Sequence, residues 1–269
     1  MLPRKSFNWK IFFVLWIAAV LSVIAVLPYA FTLQQAVLQN LSVPLAILIP
    51  LAILQNAVVF GVATAGGLWL ANRVGLGAPL LEAFLAREKI GERLRQMLPT
   101  AILFGIVAGG VILLLDLFAF APLLQRELGG ANPLTTPSVQ PPAWQGLLAS
   151  FYGGIGEEIF SRLFLFSLFA FIAVRFSKTA GGNPTRAAFW MVNLLVAILF
   201  GLGHLPATAV LVPLTPLVIA RAVLLNGIPS LAYGYLYWTR GLEAAMVAHF
   251  SSGLVLHVLA VFLLAAGGS

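Results

Sequence analysis

The chain contains no cysteine, which excludes disulfides, thiolate metal sites and cysteine nucleophiles and leaves its redox compartment open. Charge is nearly as scarce: 9% of the 269 residues are Asp, Glu, Lys or Arg, and eight are acidic. A soluble domain of this length would carry far more. Hydrophobic residues make up 61% of the sequence instead, and the mean hydropathy is strongly positive. That composition is the mark of a polytopic membrane protein. The net charge of +7 raises nucleic acid as a partner. The basic residues lie in short loops between apolar runs, however, with no contiguous basic face and no aromatic stacking module, so no nucleic-acid partner is expected.

A membrane span needs about twenty apolar residues. Candidate spans are 11–32, 43–71, 99–121, 145–175, 187–205, 207–225, 228–239 and 242–266. The expected fold class is therefore all-α, a polytopic bundle of about eight transmembrane helices. The stretch 228–239 is too short to cross alone and is expected to be re-entrant or part of a helix broken near Gly227 and Pro229. The apolar run after Arg4, Lys5 and Lys10 is longer than a signal-peptide core and lacks a clear cleavage site, so it reads as a retained first span. Leu80, Leu81, Phe84, Leu85, Ile90 and Leu94 form a helical stripe within 73–98, predicting an interfacial amphipathic helix. The Pro-, Gly- and Thr-rich segment 122–143 reads as a loop.

With the N-terminus inside, eleven basic residues fall on the cytoplasmic side: Arg4, Lys5, Lys10, Arg73, Arg87, Lys89, Arg93, Arg95, Arg175, Lys178 and Arg186. Arg126 and Arg240 fall outside, and this asymmetry orients the protein under the positive-inside rule. The expected location is a multi-pass position in the inner (cell) membrane of a bacterium. Residues 1–98 form the N-terminal spans and amphipathic segment, and 99–269 the remaining bundle, the two making one structural unit. Gly105 and Gly109 offer a small-residue contact face, as do Gly153, Gly154 and Gly156.

Against this background the string Gly153-Gly-Ile-Gly-Glu-Glu-Ile-Phe-Ser-Arg162 is anomalous. Ionisable residues inside a membrane are costly and usually face a cavity with a task. On a helix Glu158 and Arg162 are one turn apart and can pair, while Glu157 points about 100° away. One carboxylate is then held by arginine and the other is left for chemistry. The three histidines, His204, His249 and His257, also lie in apolar segments. Glutamate and histidine are what water activation needs, a base for the proton and donors or a metal for the oxyanion. A buried polar network that only locks helices together is the alternative reading of the same residues. Asn56 and Asn193 read as interhelical hydrogen bonds, Asp116 as reaching the interface, and Arg221 as snorkelling to the cytoplasmic face.

Taken in order, Glu157-Glu158-Ile-Phe-Ser-Arg162 fits EExxxR, Phe200-Gly-Leu-Gly-His204 fits FxxxH, and His249 follows in a third helix. The chain thereby resembles the CPBP family of intramembrane proteases, also called the Abi or CAAX-protease-like family, over roughly 145–265. The resemblance implies an intramembrane endopeptidase acting on a peptide or a membrane protein in the lipid bilayer. It implies that Glu157 activates water with His204, that Glu158 pairs with Arg162, and that His249 supports the oxyanion or binds a metal. The family is labelled a metalloprotease family. Zinc on Glu157, His204 and His249 and glutamate-dependent hydrolysis without metal both remain open.

One position departs from the pattern. The family usually has Asn or Asp four residues after this histidine, and here Gly253 stands there, after Ser251 and Ser252. A missing donor of this kind costs roughly 10²–10³ in rate, so a catalytically impaired member acting as a membrane scaffold or immunity-type factor is the alternative function. His257 lies about two turns from His249 and roughly 80° around the helix, a structural position. Span counting sets His204 nearer the outer surface than Glu157, so sharing one site requires helix tilt or a shifted boundary.

Overall fold

The computed structural model describes residues 7–40, 42–129 and 141–262. These residues build eight helical runs: α1 (Trp9–Leu33), α2 (Leu45–Val74), α3 (Pro79–Leu85), α4 (Gly91–Leu128), α5 (143–173), α6 (Arg186–Leu211), α7 (Pro216–Arg240) and α8 (Leu242–Phe262). There is no strand among the described residues. Six of the runs, all but α3 and α5, are long and apolar enough to cross a membrane. The run α5 is equally long but carries Glu157, Glu158 and Arg162 at its middle. The all-α membrane bundle expected from composition is thus the observed fold.

Local sequence explains where the helices start and stop. The Asn8 side chain accepts from the backbone N–H groups of Lys10 and Ile11, capping α1. Gly75, at φ 72°, ends α2 in the left-handed conformation that glycine adopts without strain. Thr215 accepts from Val218 N–H, with Pro216 in the first turn of α7.

This last cap corrects the span assignment. The stretches 207–225 and 228–239 are not separate segments. The fifth span runs on through a bend at His204 to Leu211, and one helix, Pro216–Arg240, takes the place of both. Pro229 sits inside that helix without ending it, as membrane helices tolerate when neighbouring groups satisfy the freed backbone. The amphipathic stripe is likewise split: Pro79–Leu85 is helical, Arg87 turns the chain at φ 60°, and Ile90 and Leu94 belong to the start of α4. Residues 122–128, read as loop, continue α4 in the stretch Ala121–Leu128. Arg4, Lys5, half of the 122–143 segment and the end of 242–266 lie outside the described residues.

Helix α7 is the central element, with Tyr233, Leu236 and Tyr237 almost wholly buried. It packs chiefly on α6, while α8 packs on α4 and α5 packs on α1, α2 and α8. Small residues allow the close crossings. A Cβ on Gly105 would collide with Ala248 O and Ser251 Cβ, and one on Gly109 would lie 2.8 Å from Val255 Cβ. The Gly105/Gly109 face therefore seats α4 on α8. Apolar side chains such as Ile47, Leu54, Val58 and Val62 point outward from α2, as a lipid-facing surface requires.

The single α7 also moves Arg240. Its Nη1 donates to Gln96 O at 3.3 Å, so it lies at the end of the bundle that holds 73–98, not at the opposite end with Arg126. Arg221 moves the other way: it forms a two-pronged ion pair with Asp116 of α4, both contacts at 2.7 Å. Neither residue is a lone side chain reaching for an interface. Asn193 does bridge helices, donating to Leu231 O, whereas Asn56 bonds back to Ala52 O in its own helix. At the basic end, Glu243 of α8 accepts from Leu81 N–H at 2.8 Å and Leu242 N–H reaches Gly77 O, which ties α3 to the start of α8.

Candidate active site

Glu157 and Glu158 sit at the junction of two stretches of α5, Tyr152–Glu157 and Ile159–Phe166, that are wound as π-helix. Such wide turns place more residues per turn on a face and recur at functional sites. The run is glycine-rich just before the carboxylates, and one glycine shapes the site directly. A Cβ on Gly153 would lie 3.0 Å from His249 Nε2, so only glycine leaves the imidazole its place.

The two carboxylates occupy different environments, as the helix geometry predicts. Glu158 and Arg162 are both 0% exposed, with Oε2 and Nε 3.3 Å apart. That approach is an ion pair without hydrogen-bond alignment, since neither atom has a hydrogen-bonding partner. Arg162 spends its other donors on two serines: Nη2 donates to Ser230 O at 3.0 Å and to Ser230 Oγ at 2.9 Å, and Nη1 donates to Ser161 Oγ at 2.5 Å. The second oxygen of Glu158 accepts from His249 Nδ1 at 2.8 Å. Glu158 thus holds the arginine and a histidine together, a link that sequence spacing did not reveal.

Glu157 is the more open of the two carboxylates, with its side chain 22% exposed. Its Oε1 is 3.9 Å from His204 Nε2, and its Oε2 is 3.6 Å from His249 Nε2. His204 and Glu157, which span counting set at different depths, therefore meet at one level. All five residues picked out by the motifs, Glu157, Glu158, Arg162, His204 and His249, converge. His257 does not join them. Its Nδ1 meets Tyr29 Oη at 3.2 Å, at the far end of the α5–α8 contact, beside Gly146.

Both imidazoles are oriented through Nδ1. His204 Nδ1 lies 2.7 Å from Phe200 O, and a carbonyl only accepts, so the proton is on Nδ1. His249 Nδ1 faces a carboxylate in the same way. In their neutral forms both histidines then present the Nε2 lone pair toward Glu157, itself an acceptor. Three acceptors facing one another require protons or a cation between them. The separations leave room for a water that donates to one oxygen and one nitrogen.

The donor set of one carboxylate and two imidazoles, each with its far nitrogen tied to an acceptor, is chemistry that suits zinc. Among the described residues, however, no group of three such side chains is gathered closely enough to hold an ion as it stands. The set fits zinc in ligand type rather than in spacing.

Aromatic residues complete the walls. The ring of Tyr233 lies flat against His249, with centroids 4.5 Å apart at 17°. Phe200 meets both histidines edge-on. Tyr233 and Ser230, both from α7, were missed by sequence reading because a tyrosine and a serine in an apolar helix carry no signal of their own. Gly253 has a steric explanation here: a Cβ would lie 2.7 Å from Ser150 Oγ on α5. The close crossing of α5 and α8 fills the space that a side chain at 253 would need.

Residues 139–255 match the family model described as type II CAAX prenyl endopeptidase Rce1-like. The matched region runs from the start of α5 into α8 and contains every residue of the site. No curated protein and no solved structure matches the chain.

Proposed function

We propose that this protein, whose residues 139–255 match the type II CAAX prenyl endopeptidase Rce1-like family model, is an intramembrane endopeptidase whose Glu157 activates water for peptide-bond hydrolysis. The observation that carries the reading is the convergence of Glu157 with the Nε2 atoms of His204 and His249 at 3.9 and 3.6 Å. Glu157 takes one proton from the water as its oxygen attacks the scissile carbonyl carbon. His249, protonated at this stage, offers Nε2–H to the developing oxyanion while Nδ1–H stays on Glu158. Glu158 compensates the imidazolium charge, and Arg162 holds Glu158. Glu157 then delivers its proton to the leaving nitrogen as the C–N bond breaks, giving a carboxylic acid and an amine. His204 orients the water through its Nε2 lone pair. Zinc bound by Glu157, His204 and His249 would add a Lewis acid for the carbonyl and a more acidic water.

The substrate class is a peptide or membrane protein presented from the bilayer, with a prenylated CAAX sequence as the first probe. The basic end of the bundle faces the cytoplasm in this reading, under the positive-inside rule, and the N-terminus lies there with it. The alternative, a non-hydrolytic scaffold, draws support from Gly253, which supplies no donor. The test is cleavage of a prenylated CAAX peptide by purified protein in lipid, beside Glu157→Gln and His204→Ala, followed by comparison of wild-type and Glu157→Ala membrane proteomes. Loss of cleavage in both variants, with normal membrane insertion, is the expected result. Undiminished cleavage in both overturns the mechanism, and a wild type that cleaves nothing in either assay favours the scaffold.

A further inference from the structure

Resting on the hydrolytic reading, we infer that Tyr233, acting with Ser252, is the positioning residue that sets the plane of the His249 imidazole and so the aim of its Nε2 at Glu157.

One hydrogen bond at Nδ1 does not orient a ring. It leaves the imidazole free to rock about the Nδ1–Glu158 axis, and that motion would swing Nε2 away from Glu157. The face of Tyr233, at 4.5 Å and 17°, blocks it. Phe200 closes the other approach with its edge, at 5.8 Å and 78°. No side chain one turn along α8 assists, because that position is Gly253.

The tyrosine is itself fixed by directed hydrogen bonds. Ser252 Oγ donates to the backbone oxygen of His249 at 2.8 Å. Its proton being used there, it accepts from the Tyr233 hydroxyl, with which it is in contact. The result is a closed loop across two helices: Tyr233 ring, His249 ring, His249 backbone, Ser252, Tyr233 hydroxyl. Tyr233 and Ser252 are each 1% exposed, so the hydroxyl side of the loop lies out of reach of solvent. Arg162 lies over the same tyrosine ring, its Cζ 5.5 Å from the centroid, so the tyrosine touches both partners of Glu158.

His204 provides the internal control. It is held by its own helix, through Phe200 O and the Phe200 ring. A change at Tyr233 therefore acts on His249 and leaves His204 alone, whereas a general loosening of the bundle would disturb both.

With three histidines in the chain, imidazole ¹⁵N signals of selectively labelled protein in nanodiscs can be assigned from His204→Ala, His249→Ala and His257→Ala. In Tyr233→Leu the expected result is loss of the slowly exchanging Nδ1–H of His249 and averaging of its two nitrogen shifts, with the His204 signals unchanged. Cleavage of the prenylated CAAX peptide should fall roughly 10- to 100-fold in kcat with little change in KM, the scale on which small misplacements act. Tyr233→Trp, which keeps a stacked ring, should restore most of it. A folded Tyr233→Leu protein whose His249 Nδ1–H exchanges as in the wild type overturns the proposal. If that variant does not fold, Tyr233→Phe and Ser252→Ala decide by the same signal. Faster exchange in them supports the loop, and unchanged exchange in both overturns it. Should the wild type cleave no peptide, the kinetic comparison falls with the hydrolytic reading, while the imidazole signals still decide this one.

Discussion

Replacing Arg162 by Met is the sharpest test of how the site is held together. Methionine replaces the aliphatic stem and removes the charged head. The change deletes the Nε contact to Glu158 at 3.3 Å and the hydrogen bonds to Ser230 and Ser161, leaving Glu158 at 0% exposure without its cation. Removing one partner of a buried pair typically costs about 3–5 kcal/mol, because the other charge stays buried and uncompensated. The hydrogen bond from His249 at 2.8 Å remains, which favours the lower part of that range.

The same reasoning makes a second statement. In Glu158→Gln/Arg162→Met no unpaired charge is left, so the double variant should recover most of the loss. Its glutamine oxygen can still accept from His249 Nδ1 but carries no charge to compensate the imidazolium, so stability should return while cleavage stays low. The assay is reversible unfolding in mixed micelles followed by tryptophan fluorescence, alongside peptide cleavage. A loss under about 1 kcal/mol for Arg162→Met, well below the range for a broken buried pair, would refute the assignment. So would a double variant no more stable than the single one.

Three further outcomes follow from particular contacts. Gly153→Ala places a Cβ 3.0 Å from His249 Nε2, so cleavage should drop roughly tenfold or more while the unfolding midpoint stays near wild type; unchanged cleavage would show that His249 yields without consequence. Gly253→Asn should not raise activity and should lower stability, because its Cβ would lie 2.7 Å from Ser150 Oγ; adding Ser150→Gly should relieve the loss, and a more active, equally stable Gly253→Asn would contradict the packing argument. Arg240 lies at the same end as the 73–98 segment, so in this cysteine-free chain Arg240→Cys should react with an impermeant thiol reagent from the same side as Lys10→Cys, and labelling from opposite sides would refute the single-helix course of α7.

How much of this was legible beforehand depends on how rare each signal is in an apolar chain. The carboxylates, Arg162 and the histidines announce themselves because ionisable groups are costly in a membrane, and the Glu158–Arg162 pairing follows from spacing within one helix. The Asp116–Arg221 pair was missed although both residues are charged, because 105 positions separate them and the wrong course of the sixth span put them at opposite ends. That course was misread because the spans were divided at residue 206 and near Gly227 and Pro229, while the real break is at 212–215, announced by the Thr215-Pro216 cap. Inside a bundle glycine and proline mark close contacts as often as helix ends, so the capping pair was the better guide. The same distinction explains Gly253. Read as a missing donor, it counts against catalysis. Set against Ser150, it is the residue that lets α8 approach α5 closely enough for His249 to reach Glu157 and Glu158. A side chain at 253 would press apart the two helices that bring these groups together, so the glycine that weakens one half of the site is part of what assembles the other.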